Sequence, residues 1–316
     1  MRSTVLTRRV RAPVLLASSS VFHYLGPAFA VLVFVRLDPL GVAWLRIATA
    51  AAVFAAWRRP WRLLRRLTAA QRRDLVALGA VLAAMNSVFY LAIARLPLST
   101  VGAIEFLGVV MLAASGVRTV QNAIAVVLAV GGVATLADVR LAGEPLGFVL
   151  AFANCALFML YVVVGHRVAS GATQRGGRWG GVDQLGASML VATIVAAPWG
   201  LVHAAPALTH PGWLAAGVAV GICSSVIPYV TDQLAMALLP RSAFALALSV
   251  LPACATVVGL VVLAQRPTAA DLFGVALVIA GLAVHQDIRR DTRQDFNQRK
   301  LQEGIPCSTS DSARPG

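Results

Sequence analysis

Residues Ala80–Ala114 read AVLAAMNSVFYLAIARLPLSTVGAIEFLGVVMLAA. The stretch is two apolar helices parted by a short break at Arg95-Leu96-Pro97. Asn86 and Tyr90 stand four residues apart, so a helix carries them on one face. Glu105 is a carboxylic acid in the middle of the second apolar run. An ionisable group at the centre of a membrane helix costs roughly 2.5–3.5 kcal/mol on insertion scales, and it faces a bundle interior or a wet cavity. A polar face and an intramembrane acid in adjacent helices point to a solute pathway.

The composition agrees. Of 316 residues, 59% are apolar and 13% charged, about half the charged fraction of a soluble domain. So few charges cannot cover the surface of a soluble protein of this length, and the chain is an all-α integral membrane protein. A net charge of +14 would suit nucleic acid if it formed a stripe on a soluble domain. Here the basic residues fall in the gaps between apolar runs, where they report topology and contact with lipid. Nucleic acid is not expected as a partner. Cys155, Cys223, Cys254 and Cys307 are scattered, without CxxC pairs or metal spacing, and read as small apolar residues. Neither a metal nor a cofactor is expected.

With a ruler of about 20 apolar residues per span, ten segments emerge: 13–34, 40–57, 74–94, 98–115, 119–138, 145–165, 184–203, 212–236, 242–264 and 270–285. The second, fourth and last are short. Arg2, Arg8, Arg9 and Arg11 precede the first, and Ala28-Phe29-Ala30 resembles a signal-peptidase site. Ser18, Ser19, Ser20, His23 and Tyr24 interrupt what would be a plain apolar core, so we read a retained span. Placing the N-terminus in the cytoplasm leaves only Arg36, Arg95, Arg140 and Arg266 in outer loops. Every other basic residue outside a span then faces inward, as the positive-inside rule requires, and both termini are cytoplasmic.

Leu96-Pro97-Leu98-Ser99 recurs as Leu239-Pro240-Arg241-Ser242, an offset of 143 residues. Each copy precedes an apolar helix, a short loop and a Gly-rich helix. Five spans per half invert the second half relative to the first, the pattern of many secondary transporters. The expected organisation is a cytoplasmic N-terminus over 1–12, one five-helix repeat over 13–138, a second over 139–285, and a polar, disordered cytoplasmic tail over 286–316.

Several polar residues could line a cavity. Ser225, Tyr229 and Asp232 form one stripe of the eighth span, and Asn154, Phe158 and Tyr161 one of the sixth. Under the 143-residue offset Tyr229 corresponds to Asn86. Interhelical hydrogen bonding is the competing reading, favoured for the serines. Glu105 and Asp232 are candidates to bind an ammonium group or exchange a proton, because desolvation disfavours the charged form of a carboxyl; Asp232 is otherwise a wet residue at the end of its span. Arg46, six residues into the second span, has three readings: anchor for a carboxylate, partner of Glu105, or a side chain snorkelling to the surface. His23 is a hydrogen-bonded helix residue or a proton relay. Gly217 and Gly221 mark a close helix contact. No GxxxxGK[ST], HExxH or GxSxG motif occurs, so neither ATP drive nor an enzyme is expected.

The chain resembles the ten-span EamA-type transporters of the drug/metabolite transporter superfamily, most closely the threonine/homoserine exporter branch of the bacterial inner membrane. The matching pieces are Met85-Asn86 with Phe89-Tyr90, Leu96-Pro97-Leu98, and Glu105-Phe106-Leu107-Gly108. In the second half they are Ser224-Ser225-Val226-Ile227-Pro228-Tyr229, Leu239-Pro240-Arg241, and Ser249-Val250-Leu251-Pro252-Ala253. The resemblance implies export of a small amino-acid-like solute by proton exchange through a cavity between inverted repeats. Two departures stand out. The family commonly has Gly-Pro after the Glu-Phe pair, where Val109 follows Gly108 here, and a Gly-Glu ending the ninth span, where Ala264-Gln265 stands. Efflux of another amphipathic metabolite, such as a purine or drug, and a non-transporting scaffold are the alternatives; a homodimer is left open.

Overall fold

The computed structural model describes residues 2–65, 67–114, 120–138, 144–172, 180–231, 251–281 and 283–284. All regular structure among them is helical. Asp232, the second repeat-start motif at 239–242, Cys307 and the polar tail lie outside the described residues.

The helices are α1 (Arg2–Val33), α2 (Pro39–Arg58), the short α3 (Trp61–Leu64), α4 (Ala69–Ile93), α5 (Leu98–Ala114) and α6 (Val120–Asp138). Then come α7 (Pro145–Ala172), α8 (Gly180–Thr209), α9 (Pro211–Thr231), α10 (Leu251–Leu263) and α11 (Ala269–Gly281). Five are long and apolar enough to cross a membrane: α2, α4, α7, α8 and α9. The apolar parts of α1, α5, α6, α10 and α11 are shorter.

Local chemistry sets the ends. Asp38 accepts the Leu40 N–H at 2.8 Å and Pro39 fills the first helical position, so α2 is a full 20-residue helix where hydropathy suggested a short one. Thr68 and Gln71 form a capping box that starts α4 at Ala69, five residues before the apolar run at 74. Thr268 and Asp271 cap α11 in the same way.

The bundle is turned outside-in relative to a soluble protein. Val127, Ile194, Val202 and Val261 are each about 70% exposed, while Arg46 and Glu105 are 7% exposed. Ionisable groups inside and aliphatic side chains outside are what a hydrocarbon solvent selects.

Helix pairing follows a regular scheme. The broadest contact is α2 on α8; α4 lies on α7 and α8, α1 on α9 and α10, α5 on α7 and α10, and α2 on α9. Without a hydrophobic drive between helices in lipid, small residues allow the close approaches. Gly41 meets the His203 backbone, and Gly200 lies under the Trp44 ring, whose Nε1 donates to Thr193 O at 3.1 Å. The expected contact at Gly217 and Gly221 is present: they bring α9 onto Leu45 and Thr49 of α2. Gly132 and Gly274 face each other's carbonyls where α6 crosses α11.

Candidate functional site

Arg46 sits at mid-length in α2, where its guanidinium has no route to the surface. It is 7% exposed, so the snorkelling reading fails. Among the described residues it forms no ion pair with Glu105 either. Instead Nε donates to Ser225 Oγ at 2.8 Å and Nη2 to the Ser224 carbonyl at 3.0 Å, both on α9.

The reason lies in the sequence of α9. In an α-helix the Ser224 carbonyl would receive the N–H of residue 228, but that residue is Pro228 and has none to give. Around this defect the helix widens into a π-turn over Ile222–Val226, with Ile227 N donating to Ile222 O. Gly26 of α1 and Gly221 leave no side chain between this turn and its neighbours: Gly26 abuts Ser224, and Gly221 abuts Thr49 and the Arg46 carbonyl. The serine carbonyl and hydroxyl are thus aimed at Arg46 by a proline and two glycines.

Around the guanidinium other polar groups collect. The Tyr90 ring of α4 lies 5.5 Å from the Arg46 Cζ, a cation–π contact. His23 of α1 and Glu105 of α5 are within electrostatic reach of Arg46, and Tyr24 is within reach of Glu105. The Tyr24 ring packs edge-on to His23, and its hydroxyl rests against Gly102. Glu105 accepts no hydrogen bond among the described residues. The hydroxyls of Tyr24 and Tyr90 are buried without a hydrogen-bond partner there.

Asn154 adds to this. It is fully buried, and neither its Nδ2 nor its Oδ1 has a partner among the described residues. Gly147 of α7 lies against Leu96 and Gly165 against Leu78. On that antiparallel register Asn154, on the same face of α7, comes level with Phe89 and Tyr90. Unmet polar groups are rare in protein interiors because each costs on the order of 1–3 kcal/mol. Tyr24, Tyr90 and Asn154 together with Arg46 and Glu105 therefore make up the candidate site.

Other expected residues fall elsewhere. Asn86 lies one turn from Tyr90, but its Nδ2 donates to the Leu82 carbonyl at 2.8 Å. Tyr161 and Tyr229 pack on an apolar cluster with Phe54, Leu78 and Met189. Sequence reasoning did not single out the Ser224 carbonyl, and it offered Tyr24 only as one of the polar residues interrupting the first span. The first was legible, since a proline always orphans the carbonyl four residues before it.

Away from this centre, a cavity of about 130 Å³ lies where α5, α10 and α11 meet, lined by Ser99, Thr256, Gln265, Arg266 and Asp271 among others.

Residues 145–285 match the model of the EamA-like transporter family. The threonine/homoserine exporter RhtA of Salmonella typhimurium (strain LT2) is 32% identical over 284 residues, 88% of this chain and 91% of that protein. RhtA of Escherichia coli K12 is 31% identical over 261 residues, 81% and 84% of the two chains. A crystal structure superposes with a TM-score of 0.54 at 19% identity, over 90% of this chain and 99% of the other; that likeness concerns the fold alone.

Proposed function

Because this chain belongs to the EamA-like transporter family, at 31–32% identity to threonine/homoserine exporters over most of its length, we propose that it exports small amino acids such as threonine and homoserine. It is a multi-pass protein of the bacterial inner membrane. The observation that carries the proposal is the arginine and carboxylic acid sharing a buried polar centre within electrostatic reach of each other. Charges in an apolar bundle are costly unless their hydrogen-bonding capacity is also met. A zwitterion supplies both partners at once, its carboxylate for Arg46 and its ammonium for Glu105. Tyr24, Tyr90 and Asn154 offer hydrogen bonds to the rest of the solute.

In this reading Glu105 is also the coupling acid. It pairs with the ammonium when ionised and releases it on taking a proton from the acidic side of the membrane. His23 and Asp232 are further candidates for proton handling, Asn86, Tyr161 and Tyr229 border the path, and Ser225 holds Arg46 from behind. Ten spans in two inverted repeats, 13–138 and 139–285, with both termini cytoplasmic, give the frame for alternating access.

The helix pairing supports that frame. Matching α1, α2, α4, α5 and α6 to α7, α8, α9, α10 and α11 sends several observed contacts to other observed contacts: α4 on α7 becomes α1 on α9, α5 on α7 becomes α1 on α10, and α4 on α8 becomes α2 on α9. The α2–α8 and α5–α10 pairs map onto themselves, as does the Gly132–Gly274 crossing, whose separation nearly equals the repeat offset.

The test is flux in proteoliposomes under an imposed proton gradient, with labelled threonine and homoserine beside other amino acids and purines. Saturable threonine or homoserine flux is expected. Flux of a purine or drug alone would keep the fold and replace the substrate. Silence across the panel from folded protein would favour a scaffold.

A further inference from the structure

Arg46 has five N–H donors, and the π-turn of α9 takes two of them, one into Ser225 Oγ and one into the Ser224 carbonyl. The other three have no hydrogen-bond partner among the described residues, although the side chain is 7% exposed. A guanidinium pinned at one edge, stacked on Tyr90 and open at the other edge matches the geometry of a carboxylate receptor. Neither Ser225 nor Pro228 touches the open edge; they act by fixing where it points.

We infer that the proline-broken turn of α9 is a positioning device for Arg46, and that Arg46 so held selects solutes with a free α-carboxylate. This rests on the amino-acid export reading and assigns its specificity to one contact. The chemistry is a chain of cause. Pro228 withholds an N–H, Ser224 keeps a spare carbonyl, and that carbonyl with the Ser225 hydroxyl turns the guanidinium so that its free N–H groups meet the solute. An arginine serving only to offset the charge of Glu105 would need no such fixing.

Two variants probe the device without touching Arg46. Ser225→Ala removes one tether. Pro228→Ala gives residue 228 an N–H and lets the turn close as regular α-helix, where that N–H competes with Nη2 for the Ser224 carbonyl and draws the carbonyl into line with the helix axis. Ser225→Thr keeps the hydroxyl as the conservative control. The readout is competition in proteoliposomes between labelled threonine and unlabelled threonine, threoninamide or 1-amino-2-propanol, which keep the ammonium and lose the carboxylate.

Wild type is expected to favour threonine over both analogues by about tenfold or more, the size of one lost charge-assisted hydrogen bond. Ser225→Ala and Pro228→Ala should raise the threonine KM several-fold, leave the analogues where they were, and so collapse the preference. Ser225→Thr should restore it. Equal competition by threonine and its amide in wild type overturns the inference while leaving export intact. So does a variant that weakens threonine and analogues alike, since a purely structural role would do that. Failure of the export reading looks different: wild type then carries no amino acid and the panel identifies another solute. The variants are then read with that solute, and a carried solute lacking a carboxylate overturns the inference as well.

Discussion

Gln265 Oε1 accepts the backbone N–H of Leu98 at 3.3 Å, joining residues 167 positions apart in sequence. Leu98 opens α5, whose first N–H groups have no partner within the helix. Gln265 therefore caps a helix from the other half of the chain. Replacing it by alanine should cost about 1 kcal/mol and lower the melting temperature in detergent. Gln265→Glu, the residue common in the resembling family, should match or exceed wild type, because a carboxylate gains from the positive end of the α5 dipole.

Ala264, its neighbour, has φ of 53°, the left-handed conformation that ends α10. A Cβ there costs roughly 1–2 kcal/mol, partly offset by the greater unfolded-state freedom of glycine. Ala264→Gly should raise stability by about 0.5–1 kcal/mol, visible as a higher melting temperature. The two departures at the end of the ninth span thus have separate physical meanings. One is backbone strain accepted by this chain; the other is a cap retained in neutral form.

At the α6–α11 crossing, a Cβ on Gly132 would come to 2.5 Å from the Gly274 carbonyl, and one on Gly274 to 2.8 Å from the Gly132 carbonyl. Backbone cannot yield as a flexible side chain does. Gly132→Ala and Gly274→Ala should each cost about 1–3 kcal/mol, and the double variant less than their sum, because one separation of the helices relieves both. Gly131→Ala, with nothing near its Cβ, is the control and should be neutral or slightly stabilising. Thermal unfolding of the four variants beside wild type decides this.

How far the sequence announced these features follows from what kind of signal each is. Glu105 and Arg46 were legible because ionisable groups in apolar runs are expensive and few. The Gly217–Gly221 contact was legible because small residues at helical spacing need a reason in lipid. The start of α4 was not, since the Thr68–Gln71 capping box lies in polar sequence that a hydropathy ruler ignores. Tyr161 and Tyr229 were assigned to a cavity from helical periodicity, which fixes a face but not the neighbour it meets; among the described residues those neighbours include the Phe54 cluster. Three readings of Arg46 stayed open because its partner is a backbone carbonyl 178 residues away: Pro228 marks that carbonyl as spare but does not say which side chain meets it.

The acid at 105 yields the last prediction. An ionised carboxylate pairs with an ammonium group and a protonated one does not, so substrate binding through Glu105 should weaken as the medium is acidified. Glu105→Gln mimics the protonated side chain in size and cannot ionise. It should therefore abolish proton-driven accumulation of threonine and flatten the pH dependence of what exchange remains. Threonine-for-threonine counterflow separates this from simple inactivation: a coupling acid leaves some counterflow in the variant, whereas a residue needed only for folding leaves none. Arg46 bears on the outcome too, since an uncharged side chain at 105 leaves the guanidinium without its counter-charge. The variant should accordingly bind the carboxylate end of its solute no worse than wild type while discriminating less against solutes without an ammonium group, and competition by 2,3-dihydroxybutyrate-type hydroxy acids in the same liposomes measures that. Equal exclusion of hydroxy acids by both proteins would remove Glu105 from the binding of the ammonium.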